Sequence, residues 1–192
     1  MAAPGIRPAR SGGVTLIELL IAVGILAMLA ASAAPLISAT SRPAQAAKAA
    51  EQLAAALRFA RDEALRTQNP CGVIFAAGSA SDSDSYKVYT LDTSSAPPTP
   101  LYTVRHPLSR QLYAETLGSG SRHPDARLDS NLVVLPSGTA GALSFLADGA
   151  PATTQGSALQ RLASGSARVR VQAGSHTRDV LVAAETGRIT FQ

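Results

Sequence analysis

The chain divides by hydrophobic pattern into three stretches. Residues 1–13 are short, polar and basic, with Arg7 and Arg10. Residues 14–37 are apolar except for a few small polar residues and one acid, Glu18. As a helix this run covers ~36 Å at about 1.5 Å per residue, enough to cross a bilayer core. Arg7 and Arg10 would hold its start on the cytoplasmic side and send the rest outward. Further on, Ala46, Ala49, Ala50, Leu53, Leu57, Ala60 and Ala64 recur every three or four residues. That spacing predicts a second helical stretch over 45–67 with one apolar face. Asn69-Pro70 ends it, because the residue before a proline avoids the helical region. Pro35 and Pro43 predict kinks. Asp62 lies four residues from both Arg58 and Arg66, which predicts ion pairs on the helix surface.

Beyond Cys71 the period shortens. Strands are predicted at 72–77, 86–91, 101–104, 132–135, 143–146, 167–172, 177–183 and 188–191. The intervening 79–85, 93–100, 118–129 and 150–165 are rich in Gly, Ser, Pro or Asp and read as loops. A long helix followed by many short antiparallel strands predicts an α+β fold, a long N-terminal helix packed on a C-terminal antiparallel sheet head. The organisation is then a leader over 1–13, a transmembrane helix segment over 14–37, a stalk helix over 38–70 and a β-rich head over 71–192.

Composition narrows the chemistry. The 192 residues suit one compact domain plus a helical stalk. Tryptophan is absent and aromatics are few, so the core must come from Val, Leu, Ile and Ala. The single cysteine, Cys71, cannot form an intramolecular disulfide and opens a strand as a small apolar residue. The net charge of +4 falls by about half without Arg7 and Arg10, too little for general affinity to nucleic acid. His106, His123 and His176 stand in separate segments without metal-ligand spacing. Gly118-Ser119-Gly120-Ser121 follows no strand, so it is no nucleophile elbow. No catalytic residue, metal site or cofactor is predicted.

Two features are candidates for function. Arg168 and Arg170 alternate with Val169 and Val171, so both leave one sheet face. If Gly174-Ser175 is a two-residue hairpin loop, Arg170 faces Asp179 and Val169 faces Val180. That register neutralises one arginine and gives a solvated strand face. The sharper alternative is a DNA-binding stripe of Arg161, Arg168, Arg170, Arg178 and Arg188. The other feature is Glu18. An ionised carboxylate within lipid is costly unless partnered, and no Lys or Arg lies in the run. The cation must come from elsewhere, such as a free α-amino group.

Gly13-Val14-Thr15-Leu16-Ile17-Glu18-Leu19-Leu20 resembles the processing site of type IV prepilins and pseudopilins. The resemblance implies cleavage between Gly13 and Val14 by a membrane aspartyl prepilin peptidase, then N-methylation of Val14. Val14 stands where that family usually has Phe. Glu18 becomes the fifth mature residue and pairs with the N-terminal amine of a neighbouring subunit. Pro35 falls at mature position 22, where the family commonly has proline. Two readings stay beside this one. Residues 19–31 with Ala31-Ser32-Ala33 resemble a secretory signal peptide, and 14–37 would also serve as a plain single-span anchor.

The helix over 57–64, the strand and turn Leu143-Ser144-Phe145-Leu146-Ala147-Asp148-Gly149, and the closing Val180-Leu181-Val182 and Thr186-Gly187-Arg188-Ile189 resemble the GspH/FimT branch. This implies an H-type minor pseudopilin of a type II secretion system, a structural subunit at the pseudopilus tip. It would be a single-pass inner-membrane protein with a periplasmic head, partnered by other pseudopilins or pilins. The alternative is a FimT-like minor pilin, for pilus assembly or DNA uptake. DNA-binding pilins of that kind carry a Gly-Arg-x-Arg tail. Here Gly187-Arg188-Ile189-Thr190 lacks the second arginine, which argues against nucleic acid as a partner. Loops 118–129 and 150–165 are the candidate contact faces, as mobile surface segments.

Overall fold

The computed structural model describes residues 15–78, 83–95, 97–155 and 158–192, with side chains left out over 30–40 and at Gln155. The chain forms two compact units, Met1–Thr40 and Ser41–Gln192. The leader over 1–13 and Val14 lie outside the described residues.

Helix α1 spans Leu16–Thr67. It runs unbroken through positions 35 and 43, the single long N-terminal helix expected. The kink expected at Pro35 falls where no side chain is described. In the first unit, every large apolar side chain from Leu16 to Leu29 is more than half exposed. Such a segment is apolar nearly all round, the pattern of a helix that meets an apolar environment on every face. Among the described residues no helix is long and apolar enough to cross a membrane. The described side chains of the apolar run stop at Leu29, short of the 14–37 expected for the span.

In the second unit the predicted helix face is buried. Ala46, Ala49, Leu53, Leu57, Ala60 and Ala64 are each fully enclosed. Small side chains there let the helix backbone lie close to the sheets. Gln68 takes a left-handed conformation at φ 57 and ends the helix before Asn69-Pro70. The expected Asp62 pairs do not form. Arg66 instead grips Glu63, at 2.6 and 2.9 Å. Arg58 reaches away from the helix to donate to the Ile189 carbonyl at 3.3 Å.

The head is antiparallel throughout and divides into two sheets. Strands β1 (Cys71–Ala76), β2 (Asp84–Asp92), β3 (Thr99–Leu101) and β4 (Ala114–Leu117) come first. Then follow β5 (Ala126–Leu135), β6 (Gly138–Ala140), β7 (Ala142–Phe145), β8 (Pro151–Gln155) and β9 (Ala158–Arg161). β10 (Ser166–Ala173), β11 (His176–Ala183) and β12 (Ile189–Phe191) close the chain. One sheet has the order β3-β2-β1-β7-β8-β9, with β4 also paired to β2; the other runs β12-β11-β10-β5-β6. A single core joins both sheets to the helix, with Leu53, Leu57, Tyr86, Phe145, Val169 and Val180 at its centre.

The α+β expectation holds, and most strands fall where periodicity placed them. Four departures matter. The strand expected at 101–104 ends at Leu101, and Val104 belongs to the loop that follows. The loop expected over 118–129 already enters β5 at Ala126. The loop expected over 150–165 is the β8–β9 hairpin. β4 and β6 were not foreseen. These strands are short or polar, and backbone pairing to a neighbour holds them without alternating apolar side chains.

Candidate functional site

The N-terminal site is described from Thr15 onward. Thr15 caps the helix: its carbonyl accepts from Glu18 N and Leu19 N at 3.1 Å, and its Oγ1 lies 3.3 Å from Glu18 N. Thr15-Leu16-Ile17-Glu18 therefore has the spacing of a capping box, with an acid in the first turn facing the positive end of the helix. Glu18 is exposed, and among the described residues no cation pairs with it. Thr15 thus caps the helix that carries Glu18, and the Glu18 carboxylate is exposed. Reading Glu18 only for charge missed the cap, although the Thr-x-x-Glu spacing signals it.

The C-terminal arginines do not form one stripe. The β10–β11 hairpin has the expected register, with Arg170 opposite Asp179 and Val169 opposite Val180. Gly174 supplies the turn at φ 61, a conformation that favours glycine. Asp179 accepts from Arg170 Nε at 2.7 Å and Nη2 at 2.9 Å, while Arg168 Nη1 stands 3.8 Å away. One carboxylate thus lies between two guanidiniums. The hydrogen bond from Arg170, with the nearby positive charge, holds Asp179 below the usual carboxylate range. Arg178 pairs with Val171 and so falls on the opposite face. Arg161 belongs to the other sheet, where it pairs with Asp148. Arg188 precedes β12 and is exposed, its carbonyl accepting from Ala183 N at 3.0 Å. The five arginines are divided by face and by sheet, and three of them are paired with two acids.

Two sequence motifs that stood apart meet at Arg61. Gly149, in the β7–β8 turn, has φ 78, and Gly187, before β12, has φ 62. A Cβ on Gly149 would lie 3.3 Å from Arg61 Nε, and one on Gly187 would lie 3.2 Å from it. A Cβ on Gly187 would also strike the Gly149 carbonyl. A turn from each sheet thus closes on one side chain of α1, and both glycines sit at a positive φ that strains other residues.

Asp84 makes a second junction between the sheets. It is buried on β2, and its carboxylate accepts from Gly78 N at 2.8 Å and from Leu128 N, on β5, at 2.6 Å. Nothing in the Ser/Asp-rich sequence around it distinguishes this carboxylate from a loop residue.

The expected contact loops are anchored. Gln45 and Asp125 exchange hydrogen bonds at 3.2 and 3.0 Å, and His123 Nε2 lies 3.0 Å from Gln52 Oε1. Burial first, then Lys48 and Arg122, lowers the His123 pKa from its usual value. His106 packs edge-on against Tyr113 at 4.6 Å and His176 sits exposed at the start of β11. Cys71 is fully buried, and desolvation pushes its thiol up to about 12.

A capped helix start within an apolar run, followed by a two-sheet head on the helix's C-terminal half, defines a pilin-like subunit. A prokaryotic N-terminal methylation motif matches residues 8–34, which include Gly13, Val14 and Glu18. The chain belongs to the family of the type II transport protein GspH, whose family model matches residues 49–177, about two thirds of its length. No curated protein matches the chain. Two crystal structures of the type IV minor pilin FimU from Pseudomonas aeruginosa, in space groups P21 and P65, are similar, each at 16% identity. The first aligns over 77% of this chain and 87% of FimU with a TM-score of 0.45. The second aligns over 76% and 90% with a TM-score of 0.40.

Proposed function

We propose that this chain is a minor pseudopilin of a type II secretion system, of H type. One observation carries the reading: the methylation motif and the GspH head occur in the same chain, over 8–34 and 49–177. In this reading a prepilin peptidase cuts between Gly13 and Val14, and Val14 is methylated. The apolar run over 14–37 anchors the subunit in the inner membrane, with the head in the periplasm. On assembly Glu18 pairs with the N-terminal amine of a neighbour. Buried, such a pair fixes registry more than it adds stability. The subunit works mechanically, at the tip of a short filament that supports export of folded proteins.

The test is a clean deletion scored in parallel for secreted enzyme activity, twitching motility and DNA uptake. Loss of secretion with intact motility supports the pseudopilin role. Loss of motility or DNA uptake with normal secretion overturns it in favour of a FimT-like minor pilin.

A further inference from the structure

The 118–129 segment is tied to the helix and 150–165 holds a hairpin; another exposed surface stands between β3 and β4. The segment between β3 and β4 is a small ordered hairpin. Arg105 and Leu112 form an antiparallel bridge. His106 N donates to the Gln111 carbonyl at 2.8 Å, and Arg110 N returns to the His106 carbonyl at 2.9 Å. Arg105 Nη1 donates to the Arg110 carbonyl at 2.9 Å. Inside the tip, His106 Nδ1 accepts from Leu108 N at 3.2 Å and Ser109 N at 3.4 Å. Arg110 is held at φ 56, an uncommon conformation for a side-chain-bearing residue.

This well-bonded hairpin presents apolar side chains to solvent. Leu108 is 88% exposed at its tip, Leu112 55%, and the flanking Leu101 and Tyr102 43% each. Beside them opens a cavity of about 220 Å³, lined by Lys87, Tyr102, Leu112 and Tyr113 among others. Single exposed leucines are ordinary, but half-exposed apolar side chains that line a cavity, as Leu112 and Tyr102 do, mark an interaction site. Three cations stand at the patch against one acid at its margin. Lys87 Nζ lies 5.9 Å from the Tyr102 ring centroid, Arg105 and Arg110 stand on the hairpin, and Glu115 follows on β4, its charge felt by Tyr113.

We propose that this hairpin is the face by which the head docks on a different subunit of the same filament, one presenting an apolar centre with an acidic rim. The inference rests on the filament-subunit reading above. Charge complementarity selects the partner. A second copy meeting through the same patch would set Lys87, Arg105 and Arg110 against themselves. Nucleic acid would want stacking rings, whereas the patch offers mainly leucine side chains.

The full-length protein, expressed in its own cells with its filament partners, tests the proposal. Benzoylphenylalanine is placed at Leu108 for photo-crosslinking, with Arg178 as the control position. The expected result is an adduct at 108, absent at 178, whose partner peptides come from another protein with an N-terminal methylation motif. Leu112→Asp, and separately Lys87→Glu with Arg110→Glu, should each lower that adduct about tenfold while leaving the thermal unfolding midpoint unchanged. An adduct only with a second copy, only with nucleic acid, only with a protein outside the filament, or none at all overturns the proposal. If the wild-type chain sediments with filaments and no such adduct forms, the docking face alone is wrong. If it never sediments with filaments, the filament-subunit reading fails as well.

Discussion

Arg170 and Asp179 meet side-on across the β10–β11 hairpin, with two hydrogen bonds of 2.7 and 2.9 Å between guanidinium and carboxylate. The same carboxylate lies 3.8 Å from Arg168. The two arginines best placed on one face thus already share an anion. Duplex DNA should therefore bind weakly, with little dependence on salt. Asp179→Asn should strengthen binding and steepen the salt dependence, because it releases two cations. Fluorescence anisotropy with a labelled duplex over a salt series checks this. Tight, salt-sensitive binding by the wild type would restore the stripe.

Glu18 should separate membrane insertion from assembly. Glu18→Leu removes the charge from the apolar run, so the chain should still insert and be processed. It should be depleted from filament fractions, having lost its partner for a neighbour's amine. Immunoblots of membrane and sheared-filament fractions read both. Normal incorporation of the variant would sink the role.

The turn glycines should be intolerant in a defined order. Gly187→Ala must accept a positive φ, costing about 1–2 kcal/mol, and also push its Cβ into the Gly149 carbonyl. Gly149→Ala meets the same strain at φ 78 but only side-chain atoms of Arg61 and Leu65, which can move. Denaturant melts should rank Gly187→Ala below Gly149→Ala in stability, and both below wild type.

Asp84→Ala should be costly. It strands two backbone N–H groups, those of Gly78 and Leu128, and each unsatisfied buried donor costs about 1–3 kcal/mol. It also unties β2 from β5. Urea unfolding measures the loss; a change within error would mean that the two strands are held by side-chain packing alone.

His123 gives the head a pH dependence. Its folded pKa lies below the ordinary 6.5, so the unfolded chain binds the proton more readily. Its contribution is fully present above pH 6.5 and is lost as the pH falls through the lower folded value. His123→Gln should flatten that part of the stability curve. An unchanged slope between neutral and mildly acidic pH would assign it to another group.

Much of the fold was legible because its signals are local. The helix face from Ala46 to Ala64 and the β10–β11 register follow from three-four spacing and from a Gly-Ser turn between alternating strands. What local signals could not reach was pairing at a distance. Arg66 lies three residues from Glu63 and four from Asp62, both within reach on a helix, and only side-chain geometry selects Glu63. The 150–165 segment read as loop because its strands pair through backbone groups that every sequence possesses.

The sequence by itself determined the class of this protein. A glycine, a Thr-x-x-Glu start and a long apolar run are contiguous, and contiguous features act without a fold to assemble them. Tertiary structure decided which surfaces are available. It divided five arginines between faces and sheets, tied the Gly/Ser-rich loop at His123 and Asp125 to α1, and left the leucines around Leu108 in solvent. Charge and exposure depend on neighbours brought from far along the chain, and those neighbours are fixed only when the sheets close on the helix.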